Sequence, residues 1–296
     1  MRALVTGAAG FLGRHVVPLL ATEYDTVIAV SRTPGRTSTH GNVRWVTGDL
    51  LDTGSLDAII ERERPTHLLH LAWITEPGVY WTSPENARWA ARTGQLFDNF
   101  FGAGGVRAVG AGSCAEYDWS VECVDDSTPT VPRTPYGVAK HEAHQSLARA
   151  ATRADGSYGW GRVHFLHGPG EPASRLVPSL ARRLLRAQTA LCRKPGLLRD
   201  WLHVSDVAAA FVALLGASIE GAYNIVSGTT ISSGELAQKI AKAAGHPECL
   251  ELGDATAAPG EPLEIRGSAG ELAAHWSAQL SLDEGIQRTV DALRAV

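Results

Sequence analysis

The chain opens on a short apolar run, Ala3-Leu4-Val5, that reads as a buried strand. It turns at once through a glycine-rich segment into a helical pattern from Phe11 to about Ala21. The same alternation then repeats. Apolar runs over 26–30, 43–46, 67–71 and 106–111 predict strands, and helical patterns over 55–64, 84–103 and 136–154 fall between and after them. Strand and helix alternating at this spacing predict βαβ units and a parallel α/β sheet, with right-handed crossovers placing helices on both faces. After Gly168-Pro169-Gly170 the rhythm loosens. A helical pattern over 174–188, a short segment over 199–204, a helix to Leu215, a strand over 221–226 and a capped helix over 233–244 predict mixed structure. Residues 253–262, rich in Gly, Pro and Ala, predict a loop.

Composition narrows the class. With 296 residues, 44% hydrophobic and 20% charged, the chain can bury a sizeable core. A net charge of −4 gives no basic footprint for nucleic acid. Cys114, Cys123, Cys192 and Cys249 form no CxxC pair, so neither a metal site nor a disulfide framework is indicated. No apolar run approaches the ~20 residues of a membrane span and no cleavable leader is legible, so the expected location is the cytoplasm. Only Lys140, Lys194, Lys239 and Lys242 are lysines; the arginine excess reads as coding bias, and the last three lysines as solvated charges.

The chemistry starts at Thr6-Gly7-Ala8-Ala9-Gly10-Phe11-Leu12-Gly13, directly between the first strand and the first helix. Gly7 permits the tight turn, Gly10 lets the backbone approach a pyrophosphate, and Gly13 allows close helix–strand packing. The helix N-terminus then offers free N–H groups and a favourable dipole. This context predicts a Rossmann-type, doubly wound sheet binding a dinucleotide. The second strand ends Ser31-Arg32-Thr33, without the acidic residue usual for NAD. Arg32, aided by Ser31, is a candidate for the 2′-phosphate of NADP, a solvated arginine being the other reading. NADP(H) is therefore the preferred cofactor and NAD(H) the possible one.

Tyr136 and Lys140 stand four residues apart, on one helical face. A phenol is a poor acid at neutral pH unless a cation stabilises its anion, and Lys140 can supply that charge. Ser113, after the fifth strand, fits the hydroxyl that would hold a substrate oxygen.

With these motifs in place, the chain resembles the extended, nucleotide-sugar-modifying branch of the short-chain dehydrogenase/reductase superfamily. The likeness rests on the glycine loop, Gly48-Asp49-Leu50, His70-Leu71-Ala72, Ser113-x-x-x-Tyr117 and Tyr136-x-x-x-Lys140. Beyond these it includes Arg162, Gly168-Pro169-Gly170, Arg199-Asp200-Trp201-x-His203-Val204-x-Asp206-Val207 and Tyr223-Asn224-Ile225. The resemblance implies a catalytic trio of Ser113, Tyr136 and Lys140. It implies that Asp49 contacts the adenine and that Leu50, Leu71, the Ala72 backbone and Trp73 lie by the cofactor. His164, Phe165, Arg175, Arg199 and Arg266 fall where this branch lines the sugar-nucleotide pocket, Arg199 being the foremost diphosphate candidate.

The departures matter too. The Asp-Glu pair that dehydratases of this branch carry after the catalytic hydroxyl is Cys114-Ala115 here, so dehydration is not expected. His167 and Phe165 replace the usual tyrosine and asparagine. Trp73, Tyr80 and Trp81 lie in a loop over the sugar site, to stack on substrate or to pack a lid. Cys114 lies near the chemistry, with an inert packed thiol the favoured reading. Glu116 reads as a substrate contact or a solvated turn carboxylate, and His141 as structural. The stripes over 84–103 and 136–152 are either a homodimer's four-helix interface, as the resemblance implies, or an intramolecular face.

The expectation is a dinucleotide-binding domain of residues 1–163 plus 199–226 and a smaller mixed α/β substrate domain of 164–198 plus 227–296. The activity expected is NADPH-dependent reduction of a nucleotide-diphosphate 4-keto-6-deoxysugar. The alternatives are an NAD-dependent nucleotide-sugar epimerase and a non-catalytic cofactor-sensing protein.

Overall fold

The structure, a computed structural model, describes every residue except Glu122, Pro259 and Val296. The first half carries most of the main sheet and its covering helices: β1 (Arg2–Thr6), α1 (Gly13–Glu23), β2 (Thr26–Ser31), β3 (Val43–Thr47), α2 (Ser55–Glu63), β4 (His67–His70), α3 (Glu85–Gly102), β5 (Arg107–Ser113) and α4 (Pro135–Arg153). With the strands Ser157–Val163 and Gly221–Ile225 they form a seven-stranded parallel sheet. Its order is Gly221–Ile225, Ser157–Val163, β5, β4, β1, β2, β3. Helices cover both faces, so Leu4, Ile28 and Leu68 are fully buried, and the centres of β1 and β2 read as unbroken apolar runs.

The direction of sheet growth reverses between β1 and β4. The crevice beyond the carboxyl ends of those two strands is where such sheets bind ligands.

One face packs Ile60, Phe97, Trp89, Ala143 and Leu147 from α2, α3 and α4 into a single cluster. The stripes of α3 and α4 are thus an intramolecular face at these positions. The other face joins Val16 and Leu20 of α1 to Phe211 and Leu215 of α6 (Val204–Gly216). A third cluster joins Val177 and Leu180 of α5 (Leu176–Leu184), Leu236 and Ile240 of α7 (Ser233–Ala244), and Ile286 and Val290 of α8 (Leu282–Arg294).

Several expectations are corrected. The Ser157–Val163 strand was not legible because Gly159 and Gly161 interrupt its apolar pattern. A Cβ at Gly159 would stand 3.0 Å from Leu214 Cγ, and one at Gly161 2.7 Å from Phe211 Cε1, so the close approach of α6 dictates glycine there. α1 begins at Gly13 because 10–12 belong to the loop, and α5 stops at Leu184, short of Ala187, whose φ of +50° ends the helical path. The 199–204 segment splits into short strands, Leu198–Arg199 and Trp201–His203. α8 had no counterpart in the sequence reading. Residues 253–258 form a loop as expected; Pro259 lies outside the described residues. Among the described residues no helix is long and apolar enough to cross a membrane.

Candidate active site

The carboxyl ends of β1, β2, β4 and β5 open into a cleft of about 800 Å3, walled by the glycine loop, Asp49, Ala72, Tyr136 and Lys140. The loop is built for close approach. Gly7 has φ +69°, and a Cβ there would lie 2.7 Å from the Ala72 nitrogen. Gly10 donates its N–H to Gly7 O at 2.9 Å. At Gly13 a Cβ would meet the main chain of Gly7 and Ala8. α1 then starts beneath an N-cap, Leu12, whose side chain has nothing to accept with, and its first turn, Gly-Arg-His-Val, carries no acid. These N–H groups and the helix dipole fit the pyrophosphate of a dinucleotide. The Thr6 hydroxyl, 2.7 Å from His70 Nδ1, ties the ends of β1 and β4 together. His70 Nε2 in turn reaches Thr93 at 3.1 Å. Burial pushes the His70 pKa down to about 3, so this imidazole is a neutral strut.

Phe11, Leu12, Ser31, Arg32, Leu50, Leu71 and Trp73 also line the cleft, so every residue expected beside the cofactor reaches it. Asp49 steadies its own turn by accepting the Leu51 N–H at 3.0 Å. Ser31 Oγ accepts from Thr33 N at 3.1 Å, leaving Arg32 exposed at the rim. Arg36, with its guanidinium 5.4 Å from the Trp45 ring centroid, is a second cation at this rim. It was missed because it lies five residues past the strand, in a polar stretch without pattern.

Tyr136 and Lys140 sit in the first turns of α4, which Thr134 caps through Gly137 N at 3.0 Å. Lys140 Nζ donates to Ala111 O at 2.9 Å and stands 3.8 Å from the Trp73 ring centroid. Burial pulls its pKa down to about 7, partly opposed by Glu116. The Tyr136 phenol is packed edge-on against Tyr80 (4.8 Å) and Trp81 (5.5 Å), with Trp119 behind Trp81 at 5.7 Å. The 73–84 loop thus closes as a packed lid. Burial pushes the phenol's pKa up, Tyr80 adds to this, and the Ser113 hydroxyl opposes it. The expected lowering by Lys140 is not met in this geometry, because the ammonium turns to Ala111 and Trp73.

On the substrate side fewer of the expected residues meet in the cleft. Of the residues expected there, Trp73 and Arg175 line the cleft. Arg175 stands 5.2 Å from the Tyr80 ring centroid and donates to Thr75 O at 3.4 Å, linking α5 to the lid. Arg199 is buried, and its guanidinium donates to the carbonyls of Leu198, Pro262 and Leu263, beside a separate cavity of about 190 Å3. Phe165 packs on Trp201 at 5.4 Å, and Arg266 is exposed beside Glu264. His164 is buried, so close to Gly267 that a Cβ there would meet its Cε1 at 2.8 Å. Cys114 is a buried thiol pushed up to about 12 by desolvation, which suits inert packing. Glu116 is neither solvated nor in the cleft: it is fully buried and paired with Arg162 at 3.1 Å. Glu171, unremarked in the sequence, lines the cleft. Burial pushes its pKa up to about 8 against the pull of Arg175, and among the described residues its Oε2 has no partner.

His141 bonds Thr130 and Gln145 on the outer side of α4, as a structural residue should. Lys194 and Lys239 pair with Glu261 and Asp283 near the surface.

Residues 3–226 match the family model of the NAD dependent epimerase/dehydratase family. The chain belongs to that family. It lies in the extended branch of the short-chain dehydrogenase/reductase superfamily. A UDP-glucose 4-epimerase from Rhizobium meliloti (strain 1021) is 28% identical over 283 residues, covering 82% of each chain. The dTDP-6-deoxy-L-talose 4-dehydrogenase (NAD(+)) of Aggregatibacter actinomycetemcomitans is 25% identical over 240 residues, covering 77% of this chain and 85% of that one. The crystal structure of the Thermus thermophilus UDP-glucose 4-epimerase in complex with NAD superposes with a TM-score of 0.87 at 26% identity, covering all of both chains.

Proposed function

We propose that this family member catalyses NAD-dependent 4-epimerisation of a nucleotide-diphosphate sugar. The observation that carries the proposal is the meeting of Tyr136 and Lys140 with the glycine loop in one cleft, at the switch point of the sheet. The likeness to UDP-glucose 4-epimerases supports this reading ahead of one-way reduction. The bound dinucleotide supplies the site that accepts a hydride from the sugar and returns it. Tyr136 takes the proton of the sugar hydroxyl and gives it back, Ser113 steadies that oxygen, and Lys140 stabilises the tyrosinate while it exists. Burial favours the neutral phenol in this geometry, so Tyr136 must first give its own proton to solvent, a loss that the neighbouring Lys140 ammonium favours, before it can act as the base. Trp73 and Arg175 face the sugar nucleotide from the lid and from the smaller domain, 164–198 plus 227–296.

A second reading, NADPH-dependent reduction of a 4-keto-6-deoxysugar, is favoured by one feature: Arg32 and Arg36 line the cleft where an acid would hold the NAD ribose. Cofactor accounting separates the two. Epimerisation interconverts sugar epimers with no net change in NADH absorbance, whereas reduction consumes NADPH mole for mole. In either case Tyr136→Phe should lower kcat by about 10²-fold or more while dinucleotide affinity stays near wild type. Retained turnover in that variant would overturn the assignment of the phenol.

A further inference from the structure

Glu116 is buried more completely than a structural ion pair on a surface turn requires. Its Oε1 accepts the main-chain N–H of Ser113 at 2.8 Å and the indole N–H of Trp160 at 2.9 Å, and its Oε2 accepts Arg162 Nε at 3.1 Å. With the Ser113 side chain accepting from the main chain of its own turn, these bonds lock residues 113–116. Trp160 and Glu116 also require the glycine at 112, where a Cβ would stand 2.7 Å from Glu116 Oε1.

The strand end carries a second charge. Lys140 donates to the carbonyl of Ala111, two residues before Ser113. Main-chain groups two apart in a strand face the same edge, roughly 7 Å apart. The ammonium and the carboxylate therefore share one edge of β5, behind the candidate catalytic hydroxyl. Lys140 is otherwise enclosed by Trp73 and Tyr136.

Among the described residues the other titratable neighbours bring no negative charge to Lys140; Asp126 acts on Arg162 and Tyr117 instead. His70 on β4 and His144 on α4 are pushed down to about 3 by burial and are neutral. Cys114 and Tyr117 in the turn and Tyr136 on α4 are pushed up and keep their protons. His141 on α4 and Arg162 on the Ser157–Val163 strand bring no anion. Glu116, His141 and His144 do place ligand atoms within 4.8 Å of one another, but the Arg162 guanidinium already occupies the carboxylate and would repel a metal cation. Glu116 acts on Lys140 in the direction that favours its charged form.

We propose that Glu116 is a positioning residue for the Tyr136–Lys140 machinery: a buried carboxylate, clamped by Arg162 and Trp160, that fixes the Ser113 turn and sets a negative charge on the strand edge that Lys140 shares. The proposal rests on reading Lys140 as part of that machinery. Its test needs no sugar substrate. Because the chain has four lysines, 13C-lysine NMR of the 296-residue chain resolves Lys140, identified by its loss in Lys140→Arg. Wild-type Lys140 should titrate near pH 7. Glu116→Gln should move it down by about one pH unit or more, with the other three lysine signals in place. Mere loosening would let water in and move Lys140 up, so an unchanged or raised value in the folded variant overturns the proposal. Should Glu116→Gln not fold, Glu116→Asp keeps the carboxylate but draws it back by one methylene, and should lower the Lys140 value by a smaller step; no change or a rise overturns it. Failure here leaves the hydride-transfer reading standing, and failure of cofactor accounting leaves the Lys140 shift standing.

Discussion

Gly137 offers the sharpest test of how α4 presents its phenol. It is the third residue of α4, follows Tyr136 and packs against the Ser113 turn. In Gly137→Ala the new Cβ would stand 3.0 Å from the Ala115 carbonyl carbon, closer still to its oxygen, and 3.1 Å from Pro132 Cβ. The Ala115 atoms are main chain of a turn locked by Glu116, so they cannot swing aside. α4 must retreat by roughly 1 Å and carry the phenol away from Ser113, a misplacement that lowers rates by about 10²-fold. Stability should change far less. Overpacking costs about 1–3 kcal/mol, and exchanging Gly for Ala within a helix returns about 1 kcal/mol. The net loss is thus about 0–2 kcal/mol. Turnover of the nucleotide sugar, set beside denaturant unfolding and dinucleotide titration, reads all three quantities. The expected pattern is a collapsed kcat, near-normal cofactor affinity and a slightly lowered midpoint. An unchanged kcat with a raised midpoint would refute the argument, because it would mean that helix propensity alone governs the site.

Three further outcomes follow from the geometry. Gly10→Ala, whose Cβ meets only Gly7 O at 3.1 Å, should keep its stability and lose dinucleotide binding; Gly7→Ala, strained at φ +69° and pressed on Ala72, should lose both, as calorimetric titration and thermal melts will show. His144 stacks on Trp160 at 5.4 Å with both ring nitrogens unpartnered among the described residues, and its pKa lies near 3. The unfolded chain therefore binds its proton below about pH 6.5 while the folded chain does not, so this residue destabilises the protein as pH falls from about 6.5 towards 3. His144→Phe, which keeps the stack, should shrink the drop in unfolding midpoint between pH 7 and pH 5; an undiminished drop would contradict the assignment. Glu171 has the opposite linkage. Folded, it holds its proton up to about pH 8, whereas the unfolded carboxyl ionises near 4.5, so its contribution to stability declines as pH rises through that window. Glu171→Gln should flatten the decline in chemical denaturation measured across it.

What the sequence by itself determined is whatever depends on neighbours along the chain. The strand-turn-helix around Gly7, Gly10 and Gly13 was legible because the turn, the phosphate approach and the helix start are all local demands. Tyr136 and Lys140 were legible because a helix brings residues four apart to one face. Part of the cleft wall followed, since Thr6, Ser31 and Leu71 sit at the ends of apolar runs. Tertiary structure alone decided the rest. The Ser157–Val163 strand hides its identity in glycines that exist because α6 crosses them. Glu116 looks like a surface carboxylate until Trp160 and Arg162, more than forty residues away, close over it. Arg199 carries the motif of a diphosphate ligand, yet two of its donors go to carbonyls at 262 and 263 that no local pattern connects to it. Local periodicity records which face of an element is buried. Which charge lies against that face is set by loop closures between segments distant in sequence, and burial there turns a surface-like carboxylate into the counter-charge of a lysine.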